Sequence, residues 1–294
     1  MVWASGWRLA AAVSNAGGLG IIGAGSMYPT VLAEHLTKIK AATNKPYAVN
    51  VPLLYPNIAQ LLQIIIAHKV PIVFTSAGNP ASYTSLLKSH GIIVVHVVSS
   101  KKFALKAQAA GCHAVVAEGF EAGGHNGRDE TTTLCLIPNV AAAINIPLIA
   151  AGGIYNGRSM LAAMVLGAHA VQIGSRFVAS TEASSHLAFK QAVLQANEGD
   201  TKLMLKQLTP VRLLKNNFFN AVQAAENNCA TPETLNNLLG KARAKLGMFQ
   251  GNLNDGELEI GQCSSMIKTI MPAAEIVAEI WNDFLKAKQA IINW

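Results

Sequence analysis

The chain has 294 residues, of which 51% are hydrophobic and 13% are charged, and its formal net charge is +7. Its longest apolar runs, such as residues 61–67 and 160–166, are far shorter than the roughly 20 residues that span a bilayer. The N-terminus lacks the order of a secretory signal, and the four cysteines form no CxxC pair, which argues against a zinc site or a disulfide framework. We therefore expect a cytoplasmic protein that has no membrane segment and binds no metal.

Short β-branched runs alternate with helical patterns up to about residue 176, which is typical of βα units around a parallel sheet. The predicted strands lie at residues 19–23, 47–51, 71–76, 92–97, 114–118, 147–151 and 170–174. A closed (β/α)8 barrel needs one strand more, and a helix-like stretch at residues 6–15 precedes the first of them. We therefore expect an α/β fold, a TIM-type (β/α)8 barrel that lacks most of its first strand in this chain, with Met1 at the tip of that strand. The alternative is a seven-stranded or doubly wound open sheet.

Strand signals stop at about Ala179, and helical patterns dominate from there to the end of the chain. We expect two units. Residues 1–200 and 262–294 form the barrel, and residues 201–261 form a small helical lid or substrate subdomain inserted after the last strand. A turn cluster at residues 252–256 separates this insertion from a final helix at about residues 273–292.

The C-terminal ends of barrel strands are where active sites gather. Polar or glycine-rich segments follow the predicted strands at Asn50, Ser76 to Pro80, His96, Glu118 with the loop to His125, Gly152-Gly153, and Gln172 to Arg176. Backbone N–H groups at glycine turns and helix starts bind anions, and barrels often hold a phosphate after their last two strands. Gly152-Gly153 and Gly174-Ser175 occupy those places, so the sequence predicts a phosphate site there.

Several side chains at the predicted mouth have both a functional and a structural interpretation. His125 lies in the glycine-rich loop 117–127, where the backbone can approach a ligand and imidazole can exchange protons near neutral pH. Catalysis or substrate contact is therefore its favoured role. His96 also ends a strand, but nothing around it indicates chemistry. Arg176 either binds a phosphate or ties a helix to the barrel, and Glu118 at a buried mouth requires a hydrogen-bond partner.

The segment between residues 201 and 250 is basic, with seven Lys and Arg residues against two Glu, a local balance of +5. The basic residues are Lys202, Lys206, Arg212, Lys215, Lys241, Arg243 and Lys245. Such a surface attracts an acidic partner or a phosphorylated substrate, although solvated helix faces are the commoner explanation. Nucleic acid is not expected, because the basic residues are not interleaved with aromatic ones.

Several motifs together resemble the nitronate monooxygenase family, formerly called 2-nitropropane dioxygenases, which includes the FMN-dependent enoyl-acyl-carrier-protein (enoyl-ACP) reductase of type II. The matching segments lie at residues 11–20, 49–50, 117–125, 150–154 and 171–177. The resemblance runs over nearly the whole chain and departs at the front, where the family's first strand is missing except for its end at Met1.

The resemblance implies that FMN binds at the barrel mouth. The residues that match flavin-binding positions of the family are Asn50, Glu118, Gly123, Gly124, Gly152, Gly153, Gly174 and Ser175, with Met1 against the isoalloxazine. The glycines and Ser175 would hold the phosphate end, and His125 matches the active-site histidine. Ser76 and Gln172, which end neighbouring strands, complete the predicted cofactor-binding set.

Two reactions fit this family. A reductase uses NADH or NADPH to reduce FMN and then an enoyl thioester, with His125 polarising the thioester carbonyl. A nitronate monooxygenase oxidises alkyl nitronates with oxygen, and a catalytically impaired flavin-binding protein is a third possibility. Residues 76–83 and 50–56 are more similar to the reductase branch, and the basic segment could dock acyl carrier protein. We therefore favour the enoyl-ACP reductase of fatty acid synthesis, and the resemblance suggests a homodimer.

Overall fold

The β-branched runs form strands where the sequence predicts them. The computed structural model describes residues 1–55 and 57–292. The strands within these ranges are β1 (Gly20–Gly23), β2 (Tyr47–Pro52), β3 (Ile72–Ser76), β4 (Ile93–Val98), β5 (Ala114–Glu118), β6 (Gly124–His125), β7 (Leu148–Ala151), β8 (Ala170–Gln172), β9 (Thr201–Met204) and β10 (Val211–Leu214). The α-helices there are α1 (Trp7–Asn15), α2 (Pro29–Ala42), α3 (Ile58–Ala67), α4 (Thr84–Ser89), α5 (Lys101–Ala109), α6 (Thr133–Ala141), α7 (Gly157–Val165), α8 (Ser175–Val178), α9 (Leu187–Gln195), α10 (Asn217–Asn227), α11 (Pro232–Leu239) and α12 (Ala273–Ile292).

A curled parallel sheet is the centre of the fold. In the described part of the chain its seven strands follow the order β1-β2-β3-β4-β5-β7-β8, and the helices α2 to α7 connect successive strands. Strands that are covered on both faces have near-continuous apolar sequences, which is why the short Val- and Ile-rich runs were recognisable. The predicted TIM-type α/β fold is confirmed, as a half-barrel surrounded by helices.

The first residues of the chain lie between the two edges of this sheet. Among the described residues, no strand pairs with the outer edge of β1 or of β8, and residues 2–4 form a turn. A Cβ built on Gly23, at the end of β1, would lie 2.7 Å from the Met1 carbonyl oxygen. One built on Gly174, just after β8, would lie 3.6 Å from the Met1 Sδ. Met1 is therefore between the first and last strands, directly before a turn and not in a strand.

Side-chain alternation divides the strand residues between two faces of the sheet. The barrel interior holds an apolar cluster that includes Ala48, Phe74, Val95, Val116 and Ala151. Their neighbours along the strands pack in a larger cluster against the surrounding helices. Residues paired in register across parallel strands share a face, so every strand residue can be assigned to the interior or to the helix layer.

A β-hairpin opens the segment that was predicted to be a helical lid, so the prediction that strands stop at about Ala179 is wrong. Strands β9 and β10 pair antiparallel, and β10 also pairs with β6, which gives a second sheet in the order β6-β10-β9. Each hairpin strand has four residues and contains a cation, Lys202 or Arg212, so the alternation was too short and too charged to recognise. The helices α10 and α11 follow, and the boundaries of the two units stay a prediction.

The long helix α12 packs against α7 and α1. Gly157, the first residue of α7, lies directly against the α12 backbone, where a Cβ would overlap the backbone nitrogen of Phe284. None of the helices in residues 1–55 and 57–292 combines the length and the apolar character needed to cross a bilayer.

Candidate active site

Four of the predicted site residues lie at the carboxyl ends of strands and face the barrel interior. Asn50 is in register with the interior residue Phe74, and Gln172 is in register with Ala151, which is itself paired with Glu118. The Asn50 Nδ2 donates to the Phe74 carbonyl oxygen at 3.3 Å and lies 3.5 Å from Ser76 Oγ. The structure thus places Asn50, Ser76, Glu118 and Gln172 on the interior face of the sheet at the carboxyl ends of its strands, which we call the mouth of the barrel.

His96 belongs to the opposite face. It pairs in register with Thr75, and its Nδ1 lies 2.7 Å from the Thr75 Oγ1 between the sheet and the helices. Both side chains are buried, and burial lowers the pKa of His96 to about 4. A neutral imidazole that is hydrogen-bonded on the helix side of the sheet has a structural role.

Glu118 is the ionisable group of the inner wall. Burial raises its pKa from 4.5 to about 7, since a carboxylate loses hydration in a low-dielectric environment. Its carboxyl group has no hydrogen bond to any residue in the described ranges. The mouth therefore contains an inward-facing acid that is free to bond to a ligand.

The glycine-rich loop after β5 is fixed by an acid that the sequence analysis did not identify. The Glu121 carboxylate accepts hydrogen bonds from the Thr133 backbone N–H and from Thr133 Oγ1, both at 2.9 Å, at the start of α6. The Glu121 carbonyl oxygen accepts from the Gln262 N–H at 2.9 Å. An acidic side chain near a helix start is a recognised capping signal, but a sequence separation of twelve residues concealed it here.

The two glycines before His125 are required by the protein's own packing. A Cβ on Gly123 would lie 2.5 Å from the Gly261 backbone nitrogen. Gly124 has a φ of +76°, and a Cβ on it would lie 2.5 Å from the Glu259 Oε2. The returning end of the 201–261 segment therefore lies against this loop, and His125 follows as an exposed residue of β6.

The predicted phosphate site, which we call the cradle, consists of glycine turns and a helix start whose backbone donors are free in the described part of the chain. Gly152 and Gly153 have φ values of +93° and +70°, and α8 begins directly after Gly174. The backbone N–H groups of Gly152, Gly153, Gly174 and Ser175 make no hydrogen bond to other residues within the described chain. Unpaired N–H groups at glycine turns and a helix start fit a phosphate group.

A second turn borders this cradle. The Ser175 Oγ accepts from the Gly261 N–H at 3.0 Å, and Ser264, three residues after Gly261, has a buried hydroxyl that lacks a partner in the described part of the chain. A buried hydroxyl without a partner costs free energy, so Ser264 is an unsatisfied polar group next to this turn. The sequence carried no signal for Ser264.

Arg176 lies beside the cradle but is bound to protein atoms. Its Nη1 donates to the Thr269 carbonyl oxygen at 3.2 Å, and its Nη2 lies 3.8 Å from the Glu279 Oε2 on α12. The structure thus favours the second of the two predicted roles, in which Arg176 ties a helix to the barrel.

Comparisons with known proteins agree with this geometry. A family model described as nitronate monooxygenase matches residues 1–61 and 55–283. The chain is 32% identical to a probable nitronate monooxygenase of Staphylococcus saprophyticus, over 89% of this chain and 86% of that protein. It is 33% identical to an indene-carboxyl-CoA dehydrogenase of Rhodococcus jostii over 77% of this chain, and the match spans 64% of that relative's length.

Two solved structures share the fold over the whole chain. FabK from Thermotoga maritima has 40% sequence identity and a TM-score of 0.93, covering 100% of this chain and 93% of FabK. A nitroalkane oxidase from Streptomyces ansochromogenes has 26% identity and a TM-score of 0.85, covering 99% of this chain and 95% of that protein. Because the family model matches most of this chain, the chain belongs to the nitronate monooxygenase family. The members of this family are flavin-dependent oxidoreductases.

Proposed function

We propose that the protein is an FMN-dependent reductase that uses NADH or NADPH to reduce enoyl thioesters, with enoyl-ACP as its substrate in fatty acid synthesis. The observation that carries the proposal is the 40% identity to FabK, an enoyl-ACP reductase II, over the whole chain. The probable nitronate monooxygenase from Staphylococcus saprophyticus is 32% identical over 89% of this chain. The name of the Rhodococcus jostii relative also includes a CoA thioester.

The residues at the mouth fit FMN. The cradle at Gly152, Gly153, Gly174 and Ser175 would hold the phosphate through backbone N–H groups. The predicted inner-wall residues, with Met1 between the sheet edges, would border the rest of the cofactor. FMN bound there supplies hydride-transfer chemistry.

The chain's own residues would do three things in this reaction. The exposed His125 imidazole donates a hydrogen bond to the thioester carbonyl and so polarises it for hydride addition at the β-carbon, while a proton reaches the α-carbon. Glu118, whose pKa lies at about 7, is protonated below neutral pH and donates a hydrogen bond at the inner wall. The apolar cluster around Phe74 and Val116 closes the barrel below the mouth and excludes water from that side.

Oxidation of alkyl nitronates with oxygen is the second candidate. It is favoured by the family model's description and by the fold shared with the nitroalkane oxidase. His125 would then hold the nitro group or remove the α-proton. A protein that binds flavin without turnover is the third candidate.

Acyl carrier protein is a proposed partner at the basic segment. One of the seven cations does not contribute to its surface, because Arg212 is buried. The half-buried Arg243 donates to the backbone carbonyls of Leu238, Leu239 and Asp255. Exposed lysines such as Lys202 and Lys215 carry the proposed docking surface.

A substrate comparison on one preparation tests the proposal. The cofactor released from the purified protein is identified by mass and is expected to be FMN. Under argon, NADH or NADPH is expected to be consumed with crotonyl thioester, and butyryl thioester is expected to accumulate. A protein that oxidises a nitronate in oxygen but does not oxidise NAD(P)H when crotonyl thioester is present would overturn the proposed reductase activity. That result would support the second candidate. Absence of flavin would support neither.

A further inference from the structure

Arg212 presents a buried cation next to the loop that carries His125. Its residue exposure is 1%. Nε and Nη2 both donate to the Phe120 carbonyl oxygen, at 3.1 and 2.9 Å, and the guanidinium carbon lies 4.4 Å from the centre of the Phe120 ring. In the described part of the chain, no carboxylate lies within salt-bridge distance of Arg212.

The need to fill space does not explain why an arginine occupies this buried position. A buried charge loses its hydration, and an apolar side chain of similar volume often fills such a position with no loss of stability. Unlike an apolar side chain, a guanidinium makes directional contacts. Its planar set of N–H donors and its stacking on a ring fix both the distance and the orientation of one partner. Arg212 thus fixes the position of Phe120.

The same residue holds the loop at a second point. The Arg212 backbone is in register with Gly124, and Val211 is in register with His125. Strand β6 consists of Gly124 and His125 alone, and a strand of two residues holds a loop weakly. The side chain of Arg212 therefore fixes the loop at Phe120 while its backbone fixes it beside His125.

We propose that Arg212 is a positioning residue that holds His125 at the barrel mouth. The inference rests on the role of His125 in the proposed function, and it applies to either of the two reactions. Loss of the guanidinium leaves the flavin cradle intact but lets the His125 loop shift. A displacement of about 1 Å at a catalytic group costs on the order of 100-fold in rate.

The chain offers a matched control for this test. Arg243 also stacks on a phenylalanine, with its guanidinium carbon 4.8 Å from the centre of the Phe218 ring. Its three hydrogen bonds go to backbone carbonyls within the 201–261 segment and not to the His125 loop. Replacing Arg243 therefore removes a comparable set of contacts away from the mouth.

The kinetic test compares Arg212→Met, Arg212→Lys and Arg243→Met as holoenzymes. We expect kcat to fall on the order of 100-fold in Arg212→Met with KM nearly unchanged, and Arg212→Lys to recover part of the loss. Arg243→Met is expected to keep kcat within about 2-fold. In a His125→Ala background, Arg212→Met is expected to cause no further loss, because both substitutions act on the same group. An equal further loss there would overturn the inference.

A measurement that is independent of turnover completes the test. Hydrogen–deuterium exchange of residues 119–127 is expected to accelerate in Arg212→Met and not in Arg243→Met, and equal exchange in both variants would overturn the inference. If crotonyl thioester is not reduced but a nitronate is oxidised, the proposed function fails, and the kinetic cycle is run with the nitronate. If neither is turned over, the exchange comparison decides alone.

Discussion

The carboxyl group of Glu118 makes the stability of the flavin-free protein depend on pH. Its pKa is raised from 4.5 to about 7 by burial in the mouth. Between these values the unfolded chain has lost the proton and the folded chain keeps it. The free energy of unfolding therefore decreases as the pH rises through this window, and the loss is complete at about pH 8, one unit above the pKa of the folded protein.

The size of the effect follows from the shift. One pKa unit corresponds to about 1.4 kcal/mol, so the shift of Glu118 lowers the stability of the flavin-free protein by ~3 kcal/mol between its two pKa values. Glu118→Gln has no proton to lose. Relative to wild type, this variant is expected to gain ~3 kcal/mol between about pH 4.5 and about pH 8.

Urea unfolding of the flavin-free protein across this pH range measures the difference. Glu198→Gln at an exposed position is the control and is expected to leave the pH dependence unchanged. Parallel curves for wild type and Glu118→Gln would refute the reasoning, because they would mean that the carboxyl group ionises in the mouth as it does in water.

Two further predictions concern packing and docking. Gly157→Ala would push a methyl group into the α12 backbone at Phe284 and is expected to lower the free energy of unfolding by about 3 kcal/mol, measured by thermal unfolding. Arg158→Ala on the same turn is the control, and an unchanged midpoint in Gly157→Ala would contradict the close approach. The double substitution Lys202→Glu and Lys215→Glu is expected to raise the KM for crotonyl-ACP about 10-fold at low salt and to leave the KM for crotonyl-CoA unchanged. An equal rise in both KM values would show that these lysines do not form a docking surface for acyl carrier protein.

The barrel was predictable because its signals are local. Each buried parallel strand is a short β-branched run between glycine or polar turns, so strands such as β2 and β5 were located to within a residue. Strand ends then gave Asn50 and Glu118, since a parallel sheet brings all its carboxyl ends to one edge.

What was missed depends on contacts between distant parts of the chain. Arg212 and Phe120 are 92 residues apart, and no pattern within either segment indicates their contact. The same holds for Gly123, whose lack of a side chain is explained by Gly261. A charge count from the sequence also overestimates the basic surface of residues 201–250. It includes Arg212 and Arg243, although both donate to backbone carbonyls.

The most direct test of the central claim is a single-turnover experiment. NAD(P)H first reduces the enzyme-bound flavin in the absence of oxygen, and the rate at which the flavin is then reoxidised is measured. On mixing with crotonyl thioester, wild type is expected to reoxidise rapidly. His125→Ala is expected to bind FMN and be reduced normally, but to reoxidise on the order of 100-fold or more slowly. Reoxidation of His125→Ala at the wild-type rate, or no reoxidation of wild type by the thioester, would contradict the account.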